Sequence, residues 1–354
     1  MRFKQILLLV VAACIGALAL EVAARVFLPA RSRNDVVPPE VGQFHDMRGW
    51  SPKPLSKALS NRTGYDIEYR INSRGLRDGE IPYDKPPGTF RIVVLGDSRT
   101  FGFGVPVEKH FTTILEGYFT NVEVINMGVD GYGVDQELLY LRSEGFRYRP
   151  DLVLAYVPHY RSHRHMHTER FGQQKPRFKL IDGSLVLLNS PVASAALTSP
   201  ESASASRKVH RWLRENSNAY ESARNTVVRL MEDQRRQPIE QQDEENLKSE
   251  SFKKELFELG EAIVHAMHEE SADHGATFVL VTEMEELHNA LVERHVLSVN
   301  VARALANPTF PLPDKLEHIN EAGNGVLAWE IAQYLEARHL IPVRYSSTQK
   351  PAYW

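Results

Sequence analysis

Three short polar segments of the chain hold side chains that could carry out nucleophilic chemistry. Residues 96–100 place a serine hydroxyl on a glycine turn directly after an apolar run. Residues 126–133 contain three glycines within six positions, so their backbone can adopt positive φ angles and approach a ligand closely. Residues 314–323 contain a histidine that follows two carboxylates. A serine, a histidine and a carboxylate are the groups that form a nucleophile, its general base and the residue that orients the base.

Each segment also has an ordinary structural explanation. Asp97 and Ser98 are both residue types favoured at the N-cap of a helix, so the first segment alone does not separate a nucleophile from a cap. The glycines of the second segment could serve turn geometry alone, and a lone histidine among fourteen, such as His318, is more often a surface residue. The three segments together are much less expected by chance, and their combination favours a catalytic site.

A parallel sheet would bring these segments together. Apolar, β-branched runs predict buried strands at 90–95, 122–126, 151–157 and 276–282. Helical patterns occupy 107–119, 135–145, 251–274 and 324–340. Strands that alternate with helices predict right-handed βαβ units and an α/β fold with both sheet faces covered. Reacting groups in such folds lie beyond the carboxyl ends of strands, where the first two segments fall.

Composition excludes several classes of protein. The chain has 354 residues, of which 42% are hydrophobic, as in a packed globular protein. Its 42 Lys and Arg against 45 Asp and Glu leave a net charge of −3, which gives no basic surface for nucleic acid. The only cysteine, Cys14, excludes disulfide scaffolds and cysteine-based redox or zinc sites. Nothing in the sequence implies a cofactor.

Residues 1–28 predict a membrane signal. A basic start precedes fifteen uncharged residues, 6–20, as in an export signal. A signal anchor and a cleaved signal peptide both stay open; we favour the anchor because the helical pattern continues through residues 21–25. We therefore expect an inner-membrane anchor with the catalytic domain in the periplasm or another extracytoplasmic space, or a secreted protein if the signal is cleaved.

The rest of the chain divides by composition. Residues 29–88 are rich in Pro, Arg, Ser and Asn and predict an extracytoplasmic spacer and lead-in, with an edge strand rather than a core. The main domain is expected at 89–345, with an insertion at 164–250 that breaks the alternation of strands and helices. The insertion holds a predicted hairpin, 178–188, and is either a lid over the active face or a solvated excursion.

The polar segments resemble the blocks of the SGNH (GDSL) hydrolases in order and spacing. Residues 94–102 (VLGDSRTFG) look like the first block of that family, 124–133 (VINMGVDGYG) like the second and 314–323 like the last. Residues 69–77 (YRINSRGLR) resemble the lead-in of membrane-anchored bacterial members. The resemblance covers about 66–340 without the insertion, and it implies a flavodoxin-like three-layer α/β/α sandwich.

By that resemblance, Ser98 would be the nucleophile and His318 its general base. A carboxylate upstream would orient the imidazole. We choose Asp314, four residues before His318, and keep Glu317 in reserve, because an adjacent side chain tends to point away. The oxyanion donors would be the backbone N–H groups of Ser98 and Gly131.

The sequence departs from the family at the third block, which normally supplies an Asn side chain to the oxyanion. Residues 157–161 contain no Asn, and His159 is the nearest replacement. Loss of one oxyanion donor costs roughly 3 kcal/mol, so without a substitute the enzyme would be slow.

Four histidines near this point raise the question of a metal: His159, His163, His165 and His167. Three imidazoles could bind zinc. The interleaved Arg161 and Arg164 argue against it, and we predict a polar rim and no metal site.

These features predict an exported serine esterase or acylhydrolase that cleaves an acyl ester, with a short or acetyl chain, by a Ser-His-Asp mechanism. Its expected partners are the acyl-ester substrate, in which a glycan or lipid could supply the alcohol, and the membrane through the N-terminal segment. Two alternatives stay open. One is an O-acyltransferase that acts on a glycan, and the other is a non-catalytic glycan- or lipid-binding module on the same fold, which the missing Asn would favour.

Overall fold

The computed structural model describes residues 39–60, 66–158, 163–170, 173–193, 245–312 and 318–341, with scattered residues outside these ranges. The chain forms two compact units, one of residues 35–195 with 246–354 and one of residues 1–34 with 196–245. In the smaller unit, residues 15–24 are helical, and the Glu21 carboxylate accepts a hydrogen bond from the Ser217 hydroxyl at 2.7 Å.

The predicted signal segment is described only at residues 5, 12 and 15–24. Among the described residues, no helix combines the length and the apolar character needed to cross a membrane. The anchor and the extracytoplasmic location therefore stay predictions.

The larger unit is built from a parallel sheet and smaller antiparallel pairs. Its strands are β1 (Gly42–His45), β2 (Gly49–Pro52), β3 (Lys57–Ser60), β4 (Ile67–Arg70), β5 (Phe90–Gly96), β6 (Val122–Gly128), β7 (Leu152–Val157), β8 (Glu169–Arg170), β9 (Gln173–Gln174), β10 (Arg177–Ile181), β11 (Ser184–Leu188), β12 (Thr277–Thr282) and β13 (Leu297–Asn300). Its helices are α1 (Ser98–Phe101), α2 (Phe111–Gly117), α3 (Val134–Ser143), α4 (Glu250–Asp273), α5 (Glu285–Glu293), α6 (Ala302–Leu305) and α7 (Glu321–Ala337).

The central sheet has the order β13-β12-β7-β5-β6, and all of its pairs are parallel. Numbered along the chain, this is the 2-1-3-4-5 order of flavodoxin-like folds. Side chains of β5 alternate between the two faces, with Val93 and Leu95 in the core beside α3 and α4 and Ile92 and Val94 in the core beside α2 and α7. The predicted three-layer α/β/α sandwich is confirmed.

The four predicted strands are confirmed with small shifts at their ends, but the sheet has a fifth strand that the sequence pattern did not predict. Strand β13 has only four residues and lies at the edge beyond β12. The helix predicted at 324–340 begins earlier, at Glu321, because the Asn320 side chain caps it by accepting from the Gly323 N–H at 3.1 Å.

The hairpin predicted in the insertion is confirmed as β10 and β11. Asp182 and Gly183 form its turn with φ angles of 49° and 75°, as a two-residue hairpin turn requires. Phe178 of β10 is buried in the core beside α3 and α4, so this part of the insertion is a packed element of the domain. Most of residues 194–244 lies outside the described residues, and the choice between a lid and a solvated excursion stays open.

The lead-in was expected to lack a core, and this expectation is wrong. Ile67, Tyr69 and Ile71 are buried and form a small core with Phe101 and Phe103, which flank the end of α1. The Tyr69 and Phe101 rings stack with centroids 5.7 Å apart. Residues 35–88 accordingly belong to the same compact unit as the sheet.

The buried guanidinium of Arg77 joins the lead-in to the chain that follows Ser98. It donates hydrogen bonds to the backbone carbonyls of Phe101 at 3.1 Å and Val105 at 2.7 Å, and also to that of Gly102. The same guanidinium lies over the Tyr69 ring, 4.5 Å from its centroid. Arg77 therefore holds the end of α1 against the lead-in.

Replacement of Arg77 by Met should lower the free energy of unfolding by about 2–4 kcal/mol, because three buried carbonyls lose a charged donor. Urea titration of the full chain measures this change. The control is Arg74→Met, since Arg74 is exposed and has a ring contact with Tyr83; it should change the free energy by less than about 0.5 kcal/mol. Equal effects of the two variants would contradict the role given to Arg77.

A second lead-in contact predicts a dependence of stability on pH. The Asp78 carboxylate accepts the Asn126 N–H of β6 at 2.9 Å, and burial raises the pKa of Asp78 to about 7. Between about pH 4 and pH 7 the unfolded chain releases this proton while the folded protein keeps it, so the contribution of Asp78 to stability falls as pH rises. Unfolding titrations from pH 4 to pH 8 should show that the free energy of unfolding falls less with rising pH for Asp78→Asn than for wild type. A constant difference between the two proteins over this range would contradict the assignment.

Candidate active site

Ser98 lies at the first position of α1, directly beyond the carboxyl end of β5. Gly96 has a φ of +156°, and a Cβ there would lie 2.1 Å from the Thr100 hydroxyl, so the turn requires glycine. Asp97 is the N-cap of α1, because its Oδ1 accepts the Arg99 N–H at 2.9 Å. The capping role therefore belongs to Asp97, and the Ser98 hydroxyl is left for another partner.

That partner is His318. The Nε2 atom of His318 lies 2.8 Å from the Ser98 Oγ atom, and each residue is 4% exposed. Two backbone hydrogen bonds hold the loop of His318, from the Leu312 N–H to the His318 carbonyl at 2.7 Å and from the Asn320 N–H to the Phe310 carbonyl at 2.8 Å. The distance fits a general base in contact with its nucleophile.

The orienting carboxylate of the predicted triad is not located. Asp314 and Glu317 both lie outside the described residues, which omit 313–317. Because Nε2 faces Ser98, a carboxylate that orients His318 would have to meet its Nδ1 atom. The choice of Asp314, with Glu317 in reserve, stays a prediction.

The glycine-rich segment 126–133 lies beside Ser98, because β6, which leads into it, is the neighbour of β5. After β6, the Val129 N–H donates to the Gly96 carbonyl at 3.0 Å, and the Tyr132 N–H closes a turn on the Val129 carbonyl at 3.2 Å. Gly131 occupies this turn with a φ of +78°. Across the described part of the chain, neither the Ser98 N–H nor the Gly131 N–H donates a hydrogen bond to a protein group, so both are available to an oxyanion.

The end of β6 approaches α1 very closely. A Cβ on Gly128 would lie 2.2 Å from the Phe101 amide nitrogen and 2.3 Å from the Thr100 carbonyl carbon. Only a residue without a side chain fits there. This contact fixes the distance between the glycine-rich turn and the helix that begins with Ser98.

The predicted third oxyanion donor, His159, lies outside the described residues, which omit 159–162. Its neighbour His165 has a structural partner instead, since His165 Nε2 lies 3.0 Å from the Leu256 carbonyl and burial lowers the pKa of His165 to about 4. Among the described residues, no group of three or more His, Cys, Asp or Glu side chains could hold a metal ion.

Arg164, expected to belong to a polar rim, connects the two halves of the site. Its Nη1 atom donates to Asp97 Oδ2 at 2.7 Å and to the Tyr132 carbonyl at 2.9 Å. Asp97 directly precedes Ser98, and Tyr132 directly follows Gly131. Arg164 is itself held by Lys175, whose Nζ atom donates to the Arg164 carbonyl at 3.0 Å. A local sequence pattern could not predict this contact, because Arg164 lies 67 positions from Asp97 in the sequence.

Two further carboxyl groups lie near the site and were not singled out by sequence reasoning. Asp130 precedes Gly131; burial raises its pKa, while the charges of His318 and Arg164 oppose that rise. Glu137 of α3 lines a small cavity with Asp97 and Arg164, and its Oε2 atom has no hydrogen-bond partner among the residues that the structure describes. Burial raises the pKa of Glu137 well above its usual range, which favours the neutral acid.

Neither a protein-family model nor a curated protein sequence matches this chain. The solved structures that match this chain include the following three. The lipase/acylhydrolase from Enterococcus faecalis is 13% identical with a TM-score of 0.37, over 73% of this chain and 100% of that one. A member of the lipolytic protein G-D-S-L family from Veillonella parvula is 12% identical with a TM-score of 0.36, over 69% and 97%. TesA is 11% identical with a TM-score of 0.37, over 71% and 99%. Identities and TM-scores this low carry no argument about function, so a function has to be argued from the site itself.

Replacement of Gly128 by Ala should separate β6 from α1, because the new methyl group meets backbone atoms that have no room to move. We expect a loss of about 1–3 kcal/mol in the free energy of unfolding, together with slower reaction of Ser98 with a fluorophosphonate. Urea titration and the labelling rate measure the two effects. Gly117→Ala is the control, since a Cβ there meets nothing within 4 Å. Wild-type stability in the Gly128 variant would be incompatible with the close contact.

Proposed function

We propose that the protein is a serine ester hydrolase that cleaves an acyl ester through an acyl-enzyme on Ser98. The observation that carries this proposal is the 2.8 Å distance between His318 Nε2 and Ser98 Oγ, in a site at the carboxyl end of the sheet. The amide N–H groups of Ser98 and Gly131 support it, because acyl transfer needs donors for the oxyanion and neither group has an acceptor among the described residues.

Acylation begins when the Ser98 Oγ atom attacks the ester carbonyl carbon and His318 Nε2 accepts the hydroxyl proton. The carbonyl oxygen becomes an oxyanion that the N–H groups of Ser98 and Gly131 stabilise. The tetrahedral intermediate then collapses, the bond to the alcohol oxygen breaks, and the imidazolium of His318 gives its proton to the departing alcohol. Asp314 would orient His318 in this scheme, and His159 would supply a third donor.

Deacylation repeats these steps with water. His318 Nε2 takes a proton from the water as the water oxygen attacks the acyl carbon, and the Ser98 Oγ atom leaves with that proton. The products are a carboxylic acid and free enzyme. We propose a short or acetyl chain on the resemblance of the sequence blocks, and export with membrane attachment on the basic start and apolar run of residues 1–20.

Ser98→Ala and His318→Ala should each reduce hydrolysis of a short-chain chromogenic ester at least about 10³-fold, because nucleophile and base act as one unit. Ser98→Ala should also abolish labelling by a fluorophosphonate. Initial rates and gel fluorescence of the full chain measure both effects.

The chain offers a matched control for this experiment. His288 Nδ1 lies 2.8 Å from the Ser298 hydroxyl on β13, so Ser298→Ala breaks a histidine–serine contact of equal length away from Ser98. This variant should hydrolyse the ester at the wild-type rate. If wild type neither turns over the ester nor reacts with the fluorophosphonate, the proposed function is wrong.

A further inference from the structure

The peptide group between Asp130 and Gly131 carries the N–H that the proposed function uses as an oxyanion donor. It is the central peptide of the turn from Val129 to Tyr132. The φ of +78° at Gly131, with no positive φ at Asp130, makes this a type II turn.

Such a turn has an alternative state. A type II turn becomes a type I turn when its central peptide rotates by about half a revolution, while both ends of the turn stay in place. Glycine adopts the φ angles of both types with little cost, so Gly131 places no barrier against the rotation. The rotation would point the Gly131 N–H in the opposite direction. An oxyanion hole built on this peptide therefore needs an interaction that selects the type II state.

Trp50 supplies such an interaction. Its indole Nε1–H donates to the Asp130 carbonyl oxygen at 2.9 Å. The carbonyl of residue 130 and the N–H of residue 131 belong to one trans peptide plane, in which they point in opposite directions. A donor that holds the carbonyl on one side therefore keeps the N–H on the other.

Trp50 is itself held firmly. It lies in β2, which pairs with β1, and it is 9% exposed. The Tyr132 hydroxyl donates to the Trp50 carbonyl at 2.6 Å, and the two rings meet edge to face with centroids 5.7 Å apart. The indole therefore has a fixed position from which to hold the turn.

We propose that Trp50 is a positioning residue that keeps the Gly131 N–H directed into the oxyanion hole; this inference rests on the proposed ester hydrolysis. Loss of the indole donor lets the peptide rotate, so the transition state loses a donor while ground-state binding of the ester is little changed. The predicted signature is a fall in kcat of about 10–100-fold, less than the loss of a whole donor, with KM within about twofold of wild type.

The test compares Trp50→Phe with Trp329→Phe in the full chain, by kcat and KM on a short-chain ester and by the rate of fluorophosphonate labelling. Trp329 is a matched control because it is also 9% exposed and lies on α7 against Tyr118. Trp329→Phe should keep kcat within about twofold of wild type, whereas Trp50→Phe should lower both kcat and the labelling rate.

A second variant tests the proposal if Trp50→Phe fails to fold. Replacement of Trp50 by benzothienylalanine keeps the shape of the indole and removes only its N–H donor, and it should reproduce the fall in kcat. A wild-type kcat in that variant, or equal losses in Trp50→Phe and Trp329→Phe, would overturn the proposal while leaving the esterase intact. If wild type itself shows no turnover and no labelling, the proposed function fails and the role of Trp50 fails with it.

Discussion

The contact between Ser98 Oγ and His318 Nε2 joins the start of α1 to the loop before α7, two segments that are 220 positions apart in the sequence, and the fold has to hold both in place. The two segments also have a second connection, at the start of α2. The buried His110 ring donates from Nε2 to the Arg99 carbonyl at 2.9 Å, and the next residue, Phe111, donates its N–H to Asn324 of α7 at 3.1 Å. Burial lowers the pKa of His110 to about 3, so this link is uncharged. The helix that begins with Ser98 and the helix that follows His318 are thus tied together at a second place, away from the contact between Ser98 and His318.

The lead-in also supports this arrangement. Arg77 holds the end of α1, Asp78 holds the start of the second polar segment through Asn126, and Trp50 contacts the turn that carries Gly131. Each contact ends on a main-chain atom, so the lead-in fixes the path of the backbone around Ser98 and Gly131. Residues 29–88 have the composition of a spacer, but their contacts support the candidate site.

Sequence patterns were sufficient to predict an element where both of its faces are buried. The run that became β5 is apolar at nearly every position because it packs against two cores, and such a run has few alternatives to a central strand. Strand β13 was not predicted, because an edge strand of four residues is too short to show an alternation of apolar and polar residues. Ser98, Gly131 and His318 could be proposed from the sequence because their residue types suit the chemistry and their order along the chain resembles a family, and the fold brings Ser98 and His318 into contact.

The supporting residues could not be found in this way. Trp50 bonds to the main-chain carbonyl of Asp130, 80 positions away, and a carbonyl is present at every residue, so the partner position carries no signal in the sequence. Arg164 likewise lies 67 positions from Asp97. Hydrogen bonds between distant segments have no period, and they become visible only when the fold is known.

The charges around Ser98 follow from the same supports. Asp97 has a guanidinium partner in Arg164 and a backbone donor in Arg99, so its negative charge is balanced. Within the described part of the chain, no group forms a hydrogen bond with the Oε2 atom of Glu137, and burial favours the neutral form of this acid. A second ionised carboxylate at that position would compete with Asp97 for Arg164. Because burial favours the neutral acid at Glu137, Arg164 remains the charge partner of Asp97.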